Sequence, residues 1–138
     1  MIGTMAPVQL KATSEQPARV TRPDPARAAE EDRGRVLSCA ACLQPITTSA
    51  ARIEVAGAHQ HRFTNPHGLE FHIGCFSTAA GCTASGEPTT FFTWFPGYAW
   101  QVVTCSRCGT HLGWLFQAAA HRFHGLILDR LLERQADA

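Results

Sequence analysis

Four of the six cysteines fall into two pairs with the spacing of metal-binding turns. Cys39 and Cys42 are separated by two residues, and so are Cys105 and Cys108. Each pair can present two thiolates from one tight turn, and four sulfurs complete the coordination of a tetrahedral zinc ion. Such a site has no open position for water or substrate, so the sequence predicts a structural zinc rather than a catalytic one. Gly109, directly after the second pair, suits a turn that needs a positive φ.

The two pairs lie far apart in the chain. There are 62 residues between Cys42 and Cys105, whereas a compact zinc ribbon separates its pairs by roughly 15 to 20 residues. The fold must therefore bring the pairs together, and the zinc would join two distant segments. Cys75 and Cys82 fit neither pair, and we interpret them as small buried apolar residues rather than nucleophiles.

Aromatic residues are concentrated around the second cysteine pair. Trp94, Trp100 and Trp114 are the three tryptophans of the chain and fall within 21 residues. A buried indole needs a hydrogen-bond partner for its N–H, which makes three of them costly as filler and well suited to the walls of a small-ligand pocket. The alternative interpretation is that the rings are core residues of a zinc-containing β domain.

The placement of the rings depends on the elements that carry them. If the segment around Trp114 is a strand, Trp114 and Phe116 share a face. In a simple hairpin that turns at Pro96-Gly97, Trp94 and Trp100 would lie on opposite faces. Either the segment between these two tryptophans is an irregular loop, or the rings do not converge.

Alternating patterns predict short antiparallel strands, half-buried, and therefore mainly β-structure. Residues 52–55 alternate, and Leu69, Phe71, Ile73 and Cys75 fall on one face of a second period-2 run.

Turn signals separate these runs. They occur at residues 65–68, 85–88 and 96–97, where Pro-Gly suits the two central positions of a type II turn. Residues 126–135 mix leucine, isoleucine and charges at a spacing compatible with either a last strand or a short helix.

Composition divides the chain into a tail and one domain. Residues 1–35 contain four of the eight prolines, eleven of the 23 charged residues and none of the twelve aromatic residues. This composition is typical of a disordered, flexible segment. Residues 36–138 are predicted to fold as a single zinc-binding domain. They carry six arginines, no lysine and six acids, so no basic surface for nucleic acid is expected.

The sequence also predicts a cellular compartment. No run approaches the roughly 20 apolar residues that cross a bilayer, and the first twelve residues lack the apolar core of a secretory signal. We therefore expect a cytoplasmic protein that does not bind membranes. In a reducing compartment the cysteines are expected to be metal ligands or thiols rather than disulfides.

Several motifs resemble those of the cereblon thalidomide-binding domain family, also called CULT domains. The segment WFPGYAW, residues 94–100, is followed after four residues by CxxC and then by HLGW, with Phe116 two residues further on. Residues 65–68 resemble the NPHG of that family, and the first cysteine pair stands where its first zinc pair would be. The resemblance covers about residues 36–130, and a chain of this size is similar to single-domain bacterial homologues of cereblon.

The resemblance implies two antiparallel sheets set roughly at right angles, a β-tent, pinned near one end by one zinc ion on the four paired cysteines. It also implies an aromatic cage for cyclic imides, such as glutarimide and thalidomide-type molecules, and for uracil or uridine-like rings. The tryptophans would form its walls and Phe116 its fourth side, while the backbone of Phe92 and Trp94 would bind the imide. The ligand-binding residues implied in this way are Asn65, Pro66, Phe92, Thr93, Trp94, Trp100, Trp114 and Phe116.

The sequence departs from the family pattern in two ways. Animal members typically have His-Ser before the first tryptophan, where this chain has Phe92 and Thr93, so a side-chain hydrogen bond from that histidine is lost. The chain also lacks the other domains through which cereblon joins a ubiquitin ligase, and no ubiquitin-ligase partner is expected. The resemblance therefore predicts a non-enzymatic module that binds a small cyclic imide or a pyrimidine nucleoside.

Three other interpretations agree less well with the sequence. B-type methionine sulfoxide reductases are similar in having a zinc-containing β fold with two CxxC pairs, but they add a late catalytic cysteine, and here none follows Cys108. A zinc-ribbon nucleic-acid binder needs a basic stripe that residues 36–138 lack. A second metal site on scattered histidines is less expected than surface or structural roles for them. These histidines are His59, His61, His67, His72, His111, His121 and His124.

Overall fold

The computed structural model of the protein describes residues 35–135. The predicted tail lies outside the described residues except for Arg35, which opens the first strand, one residue before the expected domain boundary.

Nine strands and two short 3₁₀-helices make up the described chain, which confirms the prediction of mainly β-structure. The helices are Ser49–Ala51 and Leu128–Arg130. The strands are β1 (Arg35–Cys39), β2 (Pro45–Thr48), β3 (Gln60–Thr64), β4 (Glu70–Phe76), β5 (Cys82–Thr89), β6 (Ala99–Cys105), β7 (His111–Gln117), β8 (Arg122–Ile127) and β9 (Leu131–Gln135).

The strands form two antiparallel sheets, as expected. The smaller sheet has three strands in the order β2-β1-β9, and the larger has six in the order β3-β4-β8-β7-β6-β5. The chain passes from the larger to the smaller sheet through Leu128–Arg130, which links β8 to β9. Within residues 35–135 no helix has the length and apolar character needed to cross a membrane.

Two local predictions from the sequence are wrong, and one that was open between strand and helix is resolved. Residues 52–55 are not a strand, because positive φ values at Ala56 and Gly57 close a tight turn there and leave only isolated bridges. Residues 85–88 are not a turn: they lie within β5, where Gly86, at φ +82°, accompanies a register shift. The ambiguous segment 126–135 contains the end of β8, a 3₁₀-helix and β9.

The predicted period-2 face in β4 is confirmed for its buried part. Ile73 and Cys75 are fully buried and Phe71 is half-buried, whereas Leu69 precedes the strand and is exposed. These residues face an aromatic cluster that includes Phe95, Trp114, Phe116 and Phe123.

Two glycines allow the strands under this cluster to approach closely. A β-carbon on Gly113 in β7 would collide with the carbonyl oxygen of Gly125 in β8. A β-carbon on Gly125 would lie 2.9 Å from the ring of Phe116. Gly113 therefore allows β7 and β8 to approach each other, and Gly125 makes room for the Phe116 ring.

Candidate metal centre and ligand cavity

The two cysteine pairs meet in one cluster, as predicted. Cys39 ends β1 in the smaller sheet and Cys105 ends β6 in the larger sheet, while Cys42 and Cys108 lie in the turns that follow. All four Sγ atoms are within 4.8 Å of one another. The cluster therefore joins the two sheets at one point.

The two turns that carry the thiols have the same backbone design. Leu43 N donates to Cys39 O at 2.7 Å, and Gly109 N donates to Cys105 O at 2.9 Å. Leu43 and Gly109 both have positive φ, +68° and +81°, which confirms the prediction for the glycine. The side chain of Gln44 bridges the turns by donating to Ser106 Oγ at 3.1 Å.

The sulfur separations fit a tetrahedral metal. Cys39 Sγ lies 3.7 Å from Cys108 Sγ, and Cys42 Sγ lies 3.6 Å from Cys105 Sγ. Metal–sulfur bonds of about 2.3 Å place sulfurs at the corners of a tetrahedron about 3.8 Å apart, whereas a disulfide needs about 2.05 Å. The Thr110 hydroxyl, 3.0 Å from Cys108 Sγ, lowers the pKa of that thiol to about 6. In the same cluster the backbone of Gln44 lowers the pKa of Cys42, but burial and the neighbouring thiols outweigh it and raise that pKa to about 12.

The two remaining cysteines stand outside this cluster. Cys75 is fully buried in β4, and burial raises the pKa of its thiol to about 11. Cys82 is half-buried at the start of β5 and is paired with Cys105 across the sheet. Neither thiol belongs to the group of four sulfurs that can hold a metal.

A cavity of about 520 Å³ opens at the aromatic end of the larger sheet. All three tryptophans line it, together with residues from β4, β6 and β7, from the loops before β4 and β6, and from the Leu128–Arg130 helix. The residues of its wall are Asn65, Pro66, His67, Leu69, Phe71, Phe91, Phe92, Trp94, Trp100, Val102, His111, Trp114, Phe116 and Arg130.

An irregular loop brings Trp94 to the same cavity as Trp100, which resolves the alternative left open by the sequence. Residues 90–98 contain no strand, and Tyr98 N donates to Phe95 O at 2.9 Å around Pro96 and Gly97. Gly97 has φ +92°, as the third position of a type II turn requires.

Pairing between β6 and β7 fixes the other walls. Trp100 is opposite Phe116, and Val102 is opposite Trp114, so these side chains share one face of the sheet. Trp94 completes the cage from the loop, with its ring centroid 4.7 Å from that of Trp114 in an edge-to-face arrangement.

Two of the indoles are held by hydrogen bonds to backbone carbonyls. Trp94 Nε1 donates to Thr64 O at 3.2 Å, and Trp100 Nε1 donates to Phe91 O at 2.8 Å. These bonds satisfy the ring N–H groups and set the orientation of the rings. Two walls of the cavity are therefore tied to the backbone of neighbouring loops.

The backbone of the loop carries groups that make no hydrogen bond to other described residues. Phe92 has φ +54°, a conformation that a bulky residue rarely adopts and that tends to persist where function requires it. Within residues 35–135, neither the N–H nor the C=O of Phe92 or of Trp94 makes a hydrogen bond. Two donors and two acceptors are thus available beside the cage.

The rim at residues 65–68 is a turn, as predicted. Asn65 Oδ1 accepts hydrogen bonds from the N–H groups of His67 and Leu69, both at 2.9 Å. Asn65 O accepts a further one from Gly68 N. The Asn65 side chain thus holds the rim loop in shape, with Pro66 beside it at the cavity mouth.

Seven of the eight predicted ligand-binding residues line the cavity, and Thr93 does not. The hydroxyl of Thr93 lies 3.4 Å from both the N and the O of Phe95, so it serves the loop rather than the cavity.

Sequence reasoning missed four residues with a clear place in the site. The ring centroids of Phe71 and His111 lie 5.2 and 4.8 Å from that of Trp114. Phe91 and Arg130 also line the cavity. The period-2 run that includes Phe71 predicts a buried face, and this signal could have identified Phe71. Arg130 has no such signal, because it reaches the site from the link between the sheets.

The chain matches curated proteins named cereblon, whereas no protein-family model matches it. It is 38% identical to cereblon of Gallus gallus over 81 residues, or 55% of this chain and 18% of that protein. It is 33% identical to cereblon of Danio rerio over 108 residues, which are 73% of this chain and 25% of that protein. A 34-residue match to cereblon of Drosophila melanogaster is 56% identical. The chain contains a cereblon-type domain.

The cereblon-type domain confirms the family expected from WFPGYAW and the two cysteine pairs. The matched region is 18–25% of the length of the two vertebrate relatives. The likeness to single-domain bacterial homologues stays a prediction, and so does the right-angle setting of the sheets.

Proposed function

We propose that the cereblon-type domain is a non-enzymatic module that binds cyclic imides, and more weakly uracil nucleosides, in its aromatic cavity. We further propose that the thiol cluster holds one structural zinc ion. The observation that carries the binding proposal is the combination of three indoles around one cavity with backbone groups of Phe92 and Trp94 that make no hydrogen bond within residues 35–135.

The chemistry of a cyclic imide matches these groups. An imide ring is small and planar, and it presents one N–H donor between two carbonyl acceptors. Indole walls can enclose the faces of such a ring, while a backbone carbonyl accepts its N–H and a backbone N–H donates to a ring carbonyl. We assign the acceptor for the imide N–H to the carbonyl of Phe92. Uracil carries the same donor and acceptors along one edge.

The zinc proposal rests on the donor set. Four cysteine sulfurs at tetrahedral spacing suit zinc and leave no coordination position for a substrate. When bound, the ion would link β1 to β6 and so hold the two sheets together. The four ligands would be Cys39, Cys42, Cys105 and Cys108.

The absence of an enzymatic role is proposed from the thiols outside the cluster. A nucleophilic cysteine acts as its thiolate, and burial raises the pKa of Cys75 to about 11. Cys82 lies in the strand beside the metal cluster, opposite Cys105, and not at the aromatic cavity. A sulfoxide-reduction assay that showed turnover dependent on either thiol would contradict this proposal.

The binding proposal is tested by titrating the full chain with glutarimide, N-methylglutarimide and uridine while following tryptophan fluorescence. Small ligands rarely exceed about 1.5 kcal/mol per heavy atom, so we expect glutarimide to bind with a Kd between roughly 1 μM and 1 mM. Methylation removes the imide donor and adds bulk beside the Phe92 carbonyl. It should cost on the order of 2 kcal/mol, about thirtyfold in Kd.

A variant separates the cavity from the rest of the fold. Trp100→Ala should abolish the fluorescence response to glutarimide while circular dichroism shows a folded β protein. Equal binding of the free and methylated imides, or unchanged binding by the folded Trp100→Ala variant, would show that this cavity is not the site.

A further inference from the structure

Arg130 brings a positive charge to the edge of the aromatic cavity. Its backbone carbonyl accepts a hydrogen bond from Ala40 N at 3.0 Å, which ties it to the first cysteine turn. Its Nη1 donates to His111 O at 2.8 Å, and its guanidinium carbon lies 5.9 Å from the centre of the Phe71 ring. Because Phe71 and His111 both pack against Trp114, the guanidinium is fixed beside the cage.

This charge has no carboxylate partner in the part of the chain that the structure describes. The ion pairs among residues 35–135 join Arg35 and Arg52 to Glu133, and none includes Arg130. No aspartate or glutamate among the described residues lines the cavity. Of the five N–H donors of the Arg130 guanidinium, one is hydrogen-bonded to another residue of the 35–135 range. A half-buried guanidinium in this state favours an anionic acceptor.

The neighbouring His111 is neutral and adds no second charge beside the arginine. His111 Nε2 lies 3.0 Å from Gly113 O, a carbonyl that can only accept, so Nε2 carries the proton in the neutral ring. Burial, together with the adjacent Arg130, lowers the pKa of His111, whereas the bond to Gly113 works in the opposite direction. Arg130 is therefore the one residue in the described cavity wall whose charge is permanent.

The volume of the cavity leaves room for a substituent. Small-molecule sites of about 300–1,000 Å³ hold drug-sized ligands, and this cavity measures about 520 Å³. A single six-membered imide ring fills only part of such a space. A ring enclosed by the tryptophans can therefore carry a further group toward Phe71 and Arg130.

We infer that Arg130 forms an anion subsite and that the preferred ligand is an imide or uracil ring bearing a carboxylate or phosphate group. This inference rests on the proposed function, because it assigns the ring to the aromatic cage and the anionic group to the guanidinium. The planar fork of arginine can donate two parallel hydrogen bonds to either anion. The cage would select the ring, and Arg130 would select the charged substituent.

The test compares matched neutral and anionic ligands by calorimetry with the full chain at low ionic strength. The pairs are uracil with uracil-6-carboxylate, and uridine with uridine 5′-monophosphate, which distinguish a carboxylate on the ring from a phosphate on a longer arm. We expect at least one anionic ligand to bind about tenfold tighter than its neutral parent, with the gain falling as salt is added.

Variants assign that gain to Arg130. Arg130→Gln should reduce the anionic-to-neutral affinity ratio to about one, with the neutral parent titrated into the same variant as its reference. Arg130→Lys keeps the charge without the fork and should retain part of the ratio. Arg122→Gln removes a positive charge from an exposed position outside the cavity wall and should leave the ratio unchanged.

The outcomes separate this inference from the proposed function. If uridine and glutarimide bind but neither anionic ligand gains affinity, the inference is wrong and the proposed function stands. If the gain persists in Arg130→Gln, the anion is held elsewhere and the assignment is overturned. If none of these ligands binds, both proposals fail. Anion binding that requires Arg130, without any binding of the neutral rings, would support the subsite and overturn the neutral-imide proposal.

Discussion

The thiol cluster and the aromatic cavity are both assembled from distant segments, but they use their polar groups differently. In the cluster, the four sulfurs face one another and matching backbone hydrogen bonds close both turns. In the cavity, the backbone groups of Phe92 and Trp94 and most of the Arg130 guanidinium have no partner among residues 35–135.

This difference separates a stabilising site from a binding site. Groups that satisfy one another in the folded state contribute to its stability, whereas the strained φ at Phe92 reduces it. Substitutions in the cluster should therefore act on folding, and substitutions in the cavity should act on binding.

The largest effect is expected from loss of a metal ligand. Cys39→Ser removes one of four sulfurs that join the two sheets, and it should destabilise the domain by at least about 4 kcal/mol or prevent folding. Denaturant unfolding and metal analysis provide the measurement, with about one equivalent of zinc expected per wild-type chain.

Cys82→Ser is the matched control, because this thiol lies beside the cluster without belonging to it. Its cost should be about 1–2 kcal/mol. Similar losses for the two variants, or less than half an equivalent of metal in folded wild-type protein, would remove the distinction between cluster and cavity.

A second effect concerns acid stability. Burial, followed by the proximity of Arg122, lowers the pKa of His124 to about 4, and its Nδ1 has no hydrogen-bond partner among residues 35–135. Since the unfolded chain has the higher pKa, about 6.5, it takes up the proton more readily. The stability that neutral His124 contributes is therefore present above pH 6.5 and lost as the pH falls through about 4.

The corresponding measurement compares the wild type with His124→Leu at pH 7.5 and pH 4.5. Allowing for screening at a partly exposed site, the wild type should lose about 2 kcal/mol more than the variant between these values. Acid release of metal affects both proteins and largely cancels in the difference. Parallel losses would show that the metal cluster alone determines acid sensitivity.

A third effect separates ring orientation from ring area within the cavity. Trp100→Phe keeps an aromatic wall but removes the hydrogen bond to Phe91 O. Binding of glutarimide should weaken about tenfold, because the ring and the neighbouring loop lose their fixed positions. The free energy of unfolding should fall by only about 1 kcal/mol. A larger change in stability than in binding would indicate that Trp100 acts mainly as a core residue.

The smallest effect compares the two cysteine turns with each other. Leu43 is exposed and has φ +68°, at the position where the second turn has Gly109. Leu43→Gly should stabilise the domain by up to about 1 kcal/mol, since relief of strain outweighs the added entropy of the unfolded chain. Gly109→Ala should destabilise the domain by about 1 kcal/mol, because alanine is strained at the positive φ of this position. The cost should be no larger, since a β-carbon there meets no atom within 4 Å. Equal signs for the two variants would contradict this explanation.

The sequence predicted best those features that depend on residue type and short spacing. The cysteine pairs, the type II turn at Pro96-Gly97 and the period-2 face of β4 were all identified because each is encoded within a few residues. Residues 52–55 and 85–88 were assigned incorrectly, because alternation and Gly-Pro content do not reveal which neighbouring strand is present to pair with them.

The aromatic cavity was predictable only in part. Motif resemblance identified the tryptophans, but geometry from sequence alone left their convergence open until the loop before β6 was seen. Thr93 was assigned to the site through the family resemblance, whereas its hydroxyl lies 3.4 Å from the N and O of Phe95. Arg130 was missed because it reaches the cavity through the crossing between sheets, which no local pattern encodes.

The pairing of β1 with β9 has a mechanical consequence. Arg35 and Gln135 are partners in the same antiparallel ladder, so both ends of the described chain leave from one side of the smaller sheet. Pulling these two ends apart would break the hydrogen bonds between β1 and β9 one pair after another, starting at Arg35 and Gln135. The bonds would not share the load, as they do when two strands are pulled in shear. Peeling would be resisted at the fifth pair, Cys39 with Leu131, if the proposed metal is bound, because Cys39 is one of its four predicted ligands. Resistance to pulling should therefore depend on the metal and rise sharply at that residue.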